Sequence, residues 1–173
     1  MQNRYVISIL VANHPGVLSK VTGLFSRRGY NISSLSVGET EDPSLSRITI
    51  VVSGDEYVLE QIYKQLGKLV DVKKVLHLDT DNSVFRELLL IKVNASPEQR
   101  SLIIEAANIF RAKTVDLAAA SLTVELTGES NKIDAFIDLM RPYGVIEMAR
   151  TGLTGIERGN KSIKDHNIND EEE

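Results

Sequence analysis

Cysteine and tryptophan are both missing from the 173 residues. Without cysteine there can be no disulfide, no thiolate nucleophile and no zinc–sulfur site. Histidine occurs three times, at His14, His77 and His166. No two of these share a helix face with a carboxylate, so no metal-ligand spacing is present. The chain has no apolar run of ~18 residues, which excludes a membrane-spanning helix of ordinary length. Met1-Gln2-Asn3-Arg4 leads into a strand pattern rather than the apolar core of a signal peptide. There is no Gly-x-Ser-x-Gly elbow, no Gly-x-Gly-x-x-Gly turn and no Walker-type loop. Acidic pairs such as Asp55-Glu56 stand at helix starts, where capping accounts for them. With no nucleophile, acid–base pair or metal site, the expectation is a cytoplasmic protein with no intrinsic catalysis, no catalytic residue and no metal ligand.

An excess of either charge is also lacking over most of the chain. The net charge is −4, but residues 159–173 carry Asp165, Asp170, Glu171, Glu172 and Glu173 against only Lys161 and Lys164. The remainder is close to neutral and offers no electrostatic footprint for nucleic acid or an anionic membrane. The stretch "KSIKDHNINDEEE" has few apolar residues and reads as a flexible acidic tail.

The residues that are present are written twice. "YVISILV" (5–11) is a strand, ended by Asn13-His14-Pro15-Gly16. Apolar residues then recur at Val17, Leu18, Val21, Leu24 and Phe25 with helical spacing, and Gly29 supplies a stop. "NISSLSV" and "SRITIVVS" alternate as strands. Asp55 caps a helix with the face Leu59, Ile62, Leu66 and Leu69, and residues 70–78 close the unit as a strand. After "DTDNS" the order repeats: strand 87–93, a helix starting at Pro97 with Leu102, Ile103, Ala106 and Phe110 inward, two strands, a helix with Ile133, Phe136 and Met140, and strand 145–149. With an offset of 74, Ser53-Gly54-Asp55 falls on Thr127-Gly128-Glu129, and Val72 falls on Ile146. The fold class is therefore α+β: two ferredoxin-like βαββαβ units, with antiparallel sheets and the helices on one face. The expected boundaries are 1–78 for the first domain, 79–84 for a linker, 85–158 for the second domain and 159–173 for the tail.

Two common uses of this fold lack their residues. RNA-recognition domains stack bases on aromatic side chains of a central strand, and the strand from Arg47 to Ser53 has none. Acylphosphatase-like enzymes hold phosphate with an arginine in the first strand-to-helix loop, which here is Asn13-His14-Pro15-Gly16. The first strand raises a separate question. Tyr5, Ile7, Ile9 and Val11 point one way and Val6 and Leu10 the other, so both of its faces are apolar. Either the monomer tolerates an apolar sheet surface, or that surface is buried against another copy or another protein.

The loop at residues 13–16 has two readings. Helix N–H groups without partners and the helix dipole favour an anion there, Gly16 would let a carboxylate approach the backbone, and Asn13 could orient it or receive an ammonium. Asn31 and the apolar Ile32 begin the strand leaving the same helix. Ammonium, carboxylate and a small apolar side chain together describe an amino acid. Turn chemistry alone accounts for the same residues equally well.

At these residues the chain resembles a known family. "NHPGVLSKVTGLFSRRGYNISSLSVGETEDPSLSRITIVVSGDE" is similar to the N-terminal ACT domain of the acetolactate synthase (acetohydroxyacid synthase) small, regulatory subunit. "EQIYKQLGKLVDVKKV", "RELLLIKV" and "ARTGLTGIERG" extend the resemblance to about residues 3–160. It implies a non-catalytic homodimer that activates a thiamine-diphosphate-dependent catalytic (large) subunit in branched-chain amino acid biosynthesis and mediates feedback inhibition by valine. Cofactors are expected on the catalytic subunit (thiamine diphosphate, magnesium and FAD) and none on this chain. Carried over, Asn13, Gly16, Val17 and Leu18 of one copy, with Asn31 and Ile32 of the other, would bind the effector at an interface between ACT domains. In the second half Ala95 stands at the place of Asn13 and Glu98 at that of Gly16. A glutamate there opposes a carboxylate ligand, so that half is expected to serve dimer or catalytic-subunit contacts. The alternative is a stand-alone amino-acid-binding ACT regulator of another enzyme.

Overall fold

The structure is a computed structural model that describes residues 3–166. Four strands, β1 (Asn3–Ala12), β2 (Ile32–Glu39), β3 (Leu45–Gly54) and β4 (Val72–His77), form one antiparallel sheet in the order β2-β3-β1-β4. Helices α1 (Val17–Arg27) and α2 (Glu56–Leu66) lie on one face of it. β5 (Ser83–Asn94), β6 (Lys113–Leu117), β7 (Ser121–Gly128) and β8 (Val145–Arg150) repeat the topology as β6-β7-β5-β8, with α3 (Arg100–Ile109) and α4 (Ser130–Met140). The expected pair of βαββαβ units is observed.

The local causes are visible. In α1, Val17, Val21, Leu24 and Phe25 are buried, the i, i+4, i+7, i+8 stripe of a core-facing helix. Gly29 ends it at φ +71°, with the Tyr30 N–H reaching back to the Phe25 carbonyl at 3.0 Å. Asp55 caps α2 by accepting from the Val58 N–H at 2.9 Å. The repeated strand–Gly–acid punctuation has a steric origin: a Cβ on Gly54 would come within 2.8 Å of Val58, and one on Gly128 within 2.7 Å of Lys132 Cδ. Glu129, unlike Asp55, makes no side-chain cap.

Each unit has its own core. Ile7, Ile9 and Val11 of β1 meet Ile48, Ile50, Phe25, Ile62 and Leu66 in the first. Leu89, Ile91 and Val93 of β5 meet Val124, Ile103, Phe136 and Met140 in the second.

Several expectations shift by a few residues or change face. Ser83 already belongs to β5, so the strand starts inside the expected linker. Pro97 lies in a turn, and α3 begins only at Arg100, which turns Leu102 outward (54% exposed) and puts Ile103 and Ala107 in the core. The match of Val72 to Ile146 fails as well: Ile146 is exposed, and it is Val145 that pairs with Val93 as Val72 pairs with Val11. A register shift near the end of each ladder displaces the simple offset.

The largest departure is at the C-terminal end. The described residues divide into a unit made of 3–84 and 153–166 and a second unit of 85–152. By their contacts residues 153–158, assigned to the second domain, group with the first unit, although the strand at 154–157 pairs with β5, and the described part of the acidic tail packs on the first unit. Strand β9 (Thr154–Glu157) and a 3₁₀ turn at Ile163–Asp165 lie there, with Leu153, Gly155 and Ile163 buried. Leu153 N–H donates to Ser34 Oγ at 2.7 Å, and Ser162 caps the turn with reciprocal bonds to Asp165. Composition suggests a solvated tail because its two isoleucines, Ile163 and Ile168, stand isolated among polar residues; the buried Ile163 side chain and the capping box seat the described part. Residues 167–173 of the expected tail lie outside the described residues.

This segment also answers the question raised by β1. Val6, Ser8 and Leu10, on the face away from the helices, are buried together with Thr49, Val51 and Leu76. The chain's own Leu153–His166 region covers that face, so a second copy is not needed to explain it. In β5 the matching face stays more open, with Leu90 40% exposed and Lys92 paired to Glu147 at 2.9 Å.

These contacts set the expected cost of three substitutions. Ile163→Ala should cost roughly 2–5 kcal/mol in urea unfolding, whereas a detached tail would give no change. In the second unit the buried Glu87 carboxylate is held by Arg150 at 2.6 Å and by Ser130 at 2.8 Å, and Arg150 also reaches Asp134 at 2.6 Å. Arg150→Ala should cost about 3 kcal/mol by leaving a buried carboxylate unpaired. Asp134→Asn, at the exposed end of the same group, should cost under about 1 kcal/mol.

Candidate functional site: the first strand-to-helix loop

β1 delivers the chain to the loop in a fixed place. The last strand residue, Ala12, donates to the Asp71 carbonyl, and Asn13 N–H donates to the Ser44 carbonyl, both at 2.8 Å. The Asn13 side chain then turns toward the β2–β3 connection: Nδ2 donates to the Pro43 carbonyl at 2.9 Å and to Glu39 Oε2 at 3.2 Å. Both amide hydrogens are thereby engaged, and Oδ1 is left as the acceptor without a partner among the described residues.

Asp71 clamps the other side of the loop. Its carboxylate accepts from Lys20 Nζ at 2.9 Å and contacts His14 Nε2 at 2.8 Å. The bond from Lys20 first, and that from His14 after it, hold the Asp71 carboxyl below the ordinary carboxylate range. Neither Asp71 nor Glu39 was singled out in the sequence, because they lie 57 and 26 residues away from the loop residues they hold.

Gly16 is the N-cap residue of α1, at φ +88°, ψ −12°. This left-handed conformation is disfavoured for other residues. No side chain caps the helix, and its first turn carries no acid. The Gly16 carbonyl accepts from Lys20 N–H, so the helix proper begins there, and a Cβ at Gly16 would meet nothing within 4 Å. The result is an open, uncapped helix N-terminus with a positive partial charge.

The six residues read from the sequence fall into two groups. Asn13, Gly16, Val17 and Leu18 share this end of α1. The Val17 side chain is buried in the core, so only its backbone faces the opening, whereas Leu18 is 40% exposed. Asn31 and Ile32 lie past the other end of the helix. With eleven residues between the two ends, the separation is about 16 Å. Asn31 is exposed and Ile32 packs at the edge of the core.

The second unit differs at the matching loop. Ala95 N–H donates to the Ala120 carbonyl just as Asn13 does to Ser44, which confirms the correspondence, but Ala95 is fully buried. Gln99, not Glu98, takes the N-cap position and is right-handed (φ −90°). Arg100 Nη2 donates to the carbonyls of Ala118 and Ala119. Glu98 precedes the helix, its carboxyl held low by bonds to its own backbone and to Ser96. The second loop therefore differs from the first in lacking a left-handed residue at its helix entrance as well as in carrying Glu98.

Among the described residues no three His, Asp or Glu side chains converge as a metal site, and no helix is long and apolar enough to cross a membrane.

Comparison with known proteins bears on the whole chain. Residues 7–74 match the family model of the AHAS small subunit-like ACT domain, and residues 86–159 match that of the small subunit of acetolactate synthase. The probable acetolactate synthase small subunit of Archaeoglobus fulgidus is 55% identical over 158 residues, covering 91% of this chain and 99% of that one. The small subunit of acetolactate synthase isozyme 3 from Salmonella typhimurium is 47% identical over 162 residues, covering 93% and 99%. The crystal structure of the acetolactate synthase small subunit from Thermotoga maritima superposes with a TM-score of 0.86 at 45% identity, over 92% and 99% of the two chains. With both family models matched and relatives of about half identity covered almost end to end, this chain belongs to the acetolactate synthase small-subunit family.

Proposed function

We propose that the chain is the regulatory subunit of an acetolactate synthase. It forms a homodimer and binds the large subunit, which carries thiamine diphosphate, magnesium and FAD. It raises the activity of that subunit and makes it sensitive to valine. The observation that carries this reading is the uncapped N-terminus of α1 behind a left-handed Gly16, in a chain of this family.

The chemistry is direct. The valine carboxylate takes the free N–H groups of the first turn, where the helix dipole favours an anion. The Asn13 amide donors are held by Pro43 and Glu39, which fixes Oδ1 as an acceptor for the valine ammonium. Leu18 supplies apolar contact. Asn31 and Ile32, about 16 Å away along their own helix, close the pocket of the second copy. The exposed Leu35 and Val37 lie on the edge strand β2, where a second copy would bury them.

Mixing the purified chain with its large subunit, with and without valine, tests the function. Acetolactate formation should rise on mixing and fall again when valine is added; no change on mixing defeats the reading. Calorimetry on Gly16→Asp tests the site. The added carboxylate repels that of valine and should weaken binding at least tenfold, while Gly16→Ala, which shares the backbone strain of about 1 kcal/mol without the charge, should weaken it less. Parent-like valine binding by Gly16→Asp would remove the site assignment.

A further inference from the structure

The face of the first sheet opposite the helices holds a cleft of about 470 Å³ between β2, β3 and the Leu153–His166 segment. Every lining residue belongs to the first unit. The cleft lies on the opposite face from α1 and includes no residue of the loop at 13–16, although its rim residue Glu39 also accepts from Asn13. Its size is that of a small-molecule site rather than a packing defect.

Its charges are unevenly matched. Glu39 accepts from Asn13, Glu41 pairs with Lys164, and Glu157 contacts His166 at 2.7 Å. All three carboxylates on the rim are thus engaged. Arg47, half-buried in the wall, donates from Nε to Ser8 Oγ at 2.7 Å, and Ser8 is itself fully buried. The bond locks the guanidinium plane against the sheet. Its two terminal nitrogens, and the ammonium of Lys161, which also lines the cleft, have no hydrogen-bond or ion-pair partner among the described residues. Burial lowers the affinity of Arg47 for its proton, and the carboxylates of Glu157 and Glu41, too far for an ion pair, offset that only in part. The hydroxyls of Ser36, Thr49 and Thr154 line the same space, and Leu76 and Ile156 supply apolar wall.

We infer that this cleft binds a small organic oxyanion, a carboxylate or a phosphate monoester, through the terminal fork of Arg47 with Lys161 opposing it. A fixed, planar pair of donors fits the two oxygens of either group. The hydroxyls would bond the polar part of the ligand, and Leu76 and Ile156 a short apolar body. The inference does not depend on the valine reading. Its test uses neither valine nor the catalytic subunit, so either can fail alone.

The experiment is an amide NMR titration of the full chain with inorganic phosphate and, separately, with sodium butyrate, at constant ionic strength. Saturable shifts at Ser36, Thr49 and residues 154–162 are expected with at least one probe. Phosphate alone would point to a phosphate monoester, and butyrate alone to a carboxylate. Arg47→Gln should weaken the effective probe about tenfold or more, and Arg47→Lys should restore part of the loss. Because Arg47 supports a buried serine, Lys161→Ala on the exposed rim serves as the variant that leaves the fold alone, and it should weaken binding several-fold. Non-saturating shifts with both probes overturn the site, as does binding that neither Arg47→Gln nor Lys161→Ala reduces.

Discussion

The first unit depends on one constraint: its central strand, β1, is buried on both faces. Ile7, Ile9 and Val11 enter the core under the helices, and Val6, Ser8 and Leu10 are buried on the other side. A sheet in this fold ordinarily shows that second face to water. Here the chain comes back after the second unit and lays Leu153–His166 over it. A hydroxyl placed in such a position must be bonded, and Arg47 meets the requirement by donating Nε to Ser8. The same act draws a guanidinium into the wall of the sheet. The cover, the buried serine and the charged cleft are successive consequences of a single two-faced strand.

The loop at residues 13–16 is held by a comparable economy of contacts. Two backbone bonds at the end of β1, the Asn13 side chain on the β2–β3 connection and Asp71 between His14 and Lys20 fix its position from both sides. With the loop pinned, Gly16 can take up a left-handed conformation that leaves the helix end open rather than capped. The second unit, with the same topology, resolves its helix start in the opposite way: a right-handed Gln99, a buried Ala95, and Arg100 folded onto two carbonyls. Repetition of a fold and divergence of a site are separable because the sheet register is set by core residues, whereas the helix entrance is set by three or four residues that the core does not touch.

That distinction explains what could be read from the sequence. The element order, the helix faces and the repeat rest on apolar periodicity, and they were legible nearly throughout; the misplaced Leu102 came from starting α3 at Pro97. Asn13 and Gly16 were legible as a loop with unusual chemistry, since asparagine and glycine are informative where they precede a helix. Their supports, Glu39, Pro43 and Asp71, were not, because nothing local links a residue to a partner 26–57 positions away. The C-terminal segment was misread for a related reason. Its sequence is polar on average, and its attachment depends on Leu153, Ile163 and a capping box, too few residues to make a periodic pattern. The apolar outer face of β1 did signal that something must cover it. It could not say whether the cover was another molecule or a later part of the same chain.

The return of that segment narrows what a second copy has left to bury. With the outer face covered, the apolar residues of the first unit that stay exposed are Leu18 on α1, Leu35 and Val37 on β2, and Tyr57, Val70 and Ile156 elsewhere. β2 is an edge strand, so its outer backbone groups are also unpaired within its own sheet. The residues proposed to enclose an effector lie at opposite ends of one helix, about 16 Å apart, which a single amino acid does not span. If both ends contact one ligand, they do so from two chains. In the proposed reading the dimer is therefore not an addition to the effector site but a condition of it: the edge that needs a partner and the half-pockets that need completing occur in the same small part of the molecule.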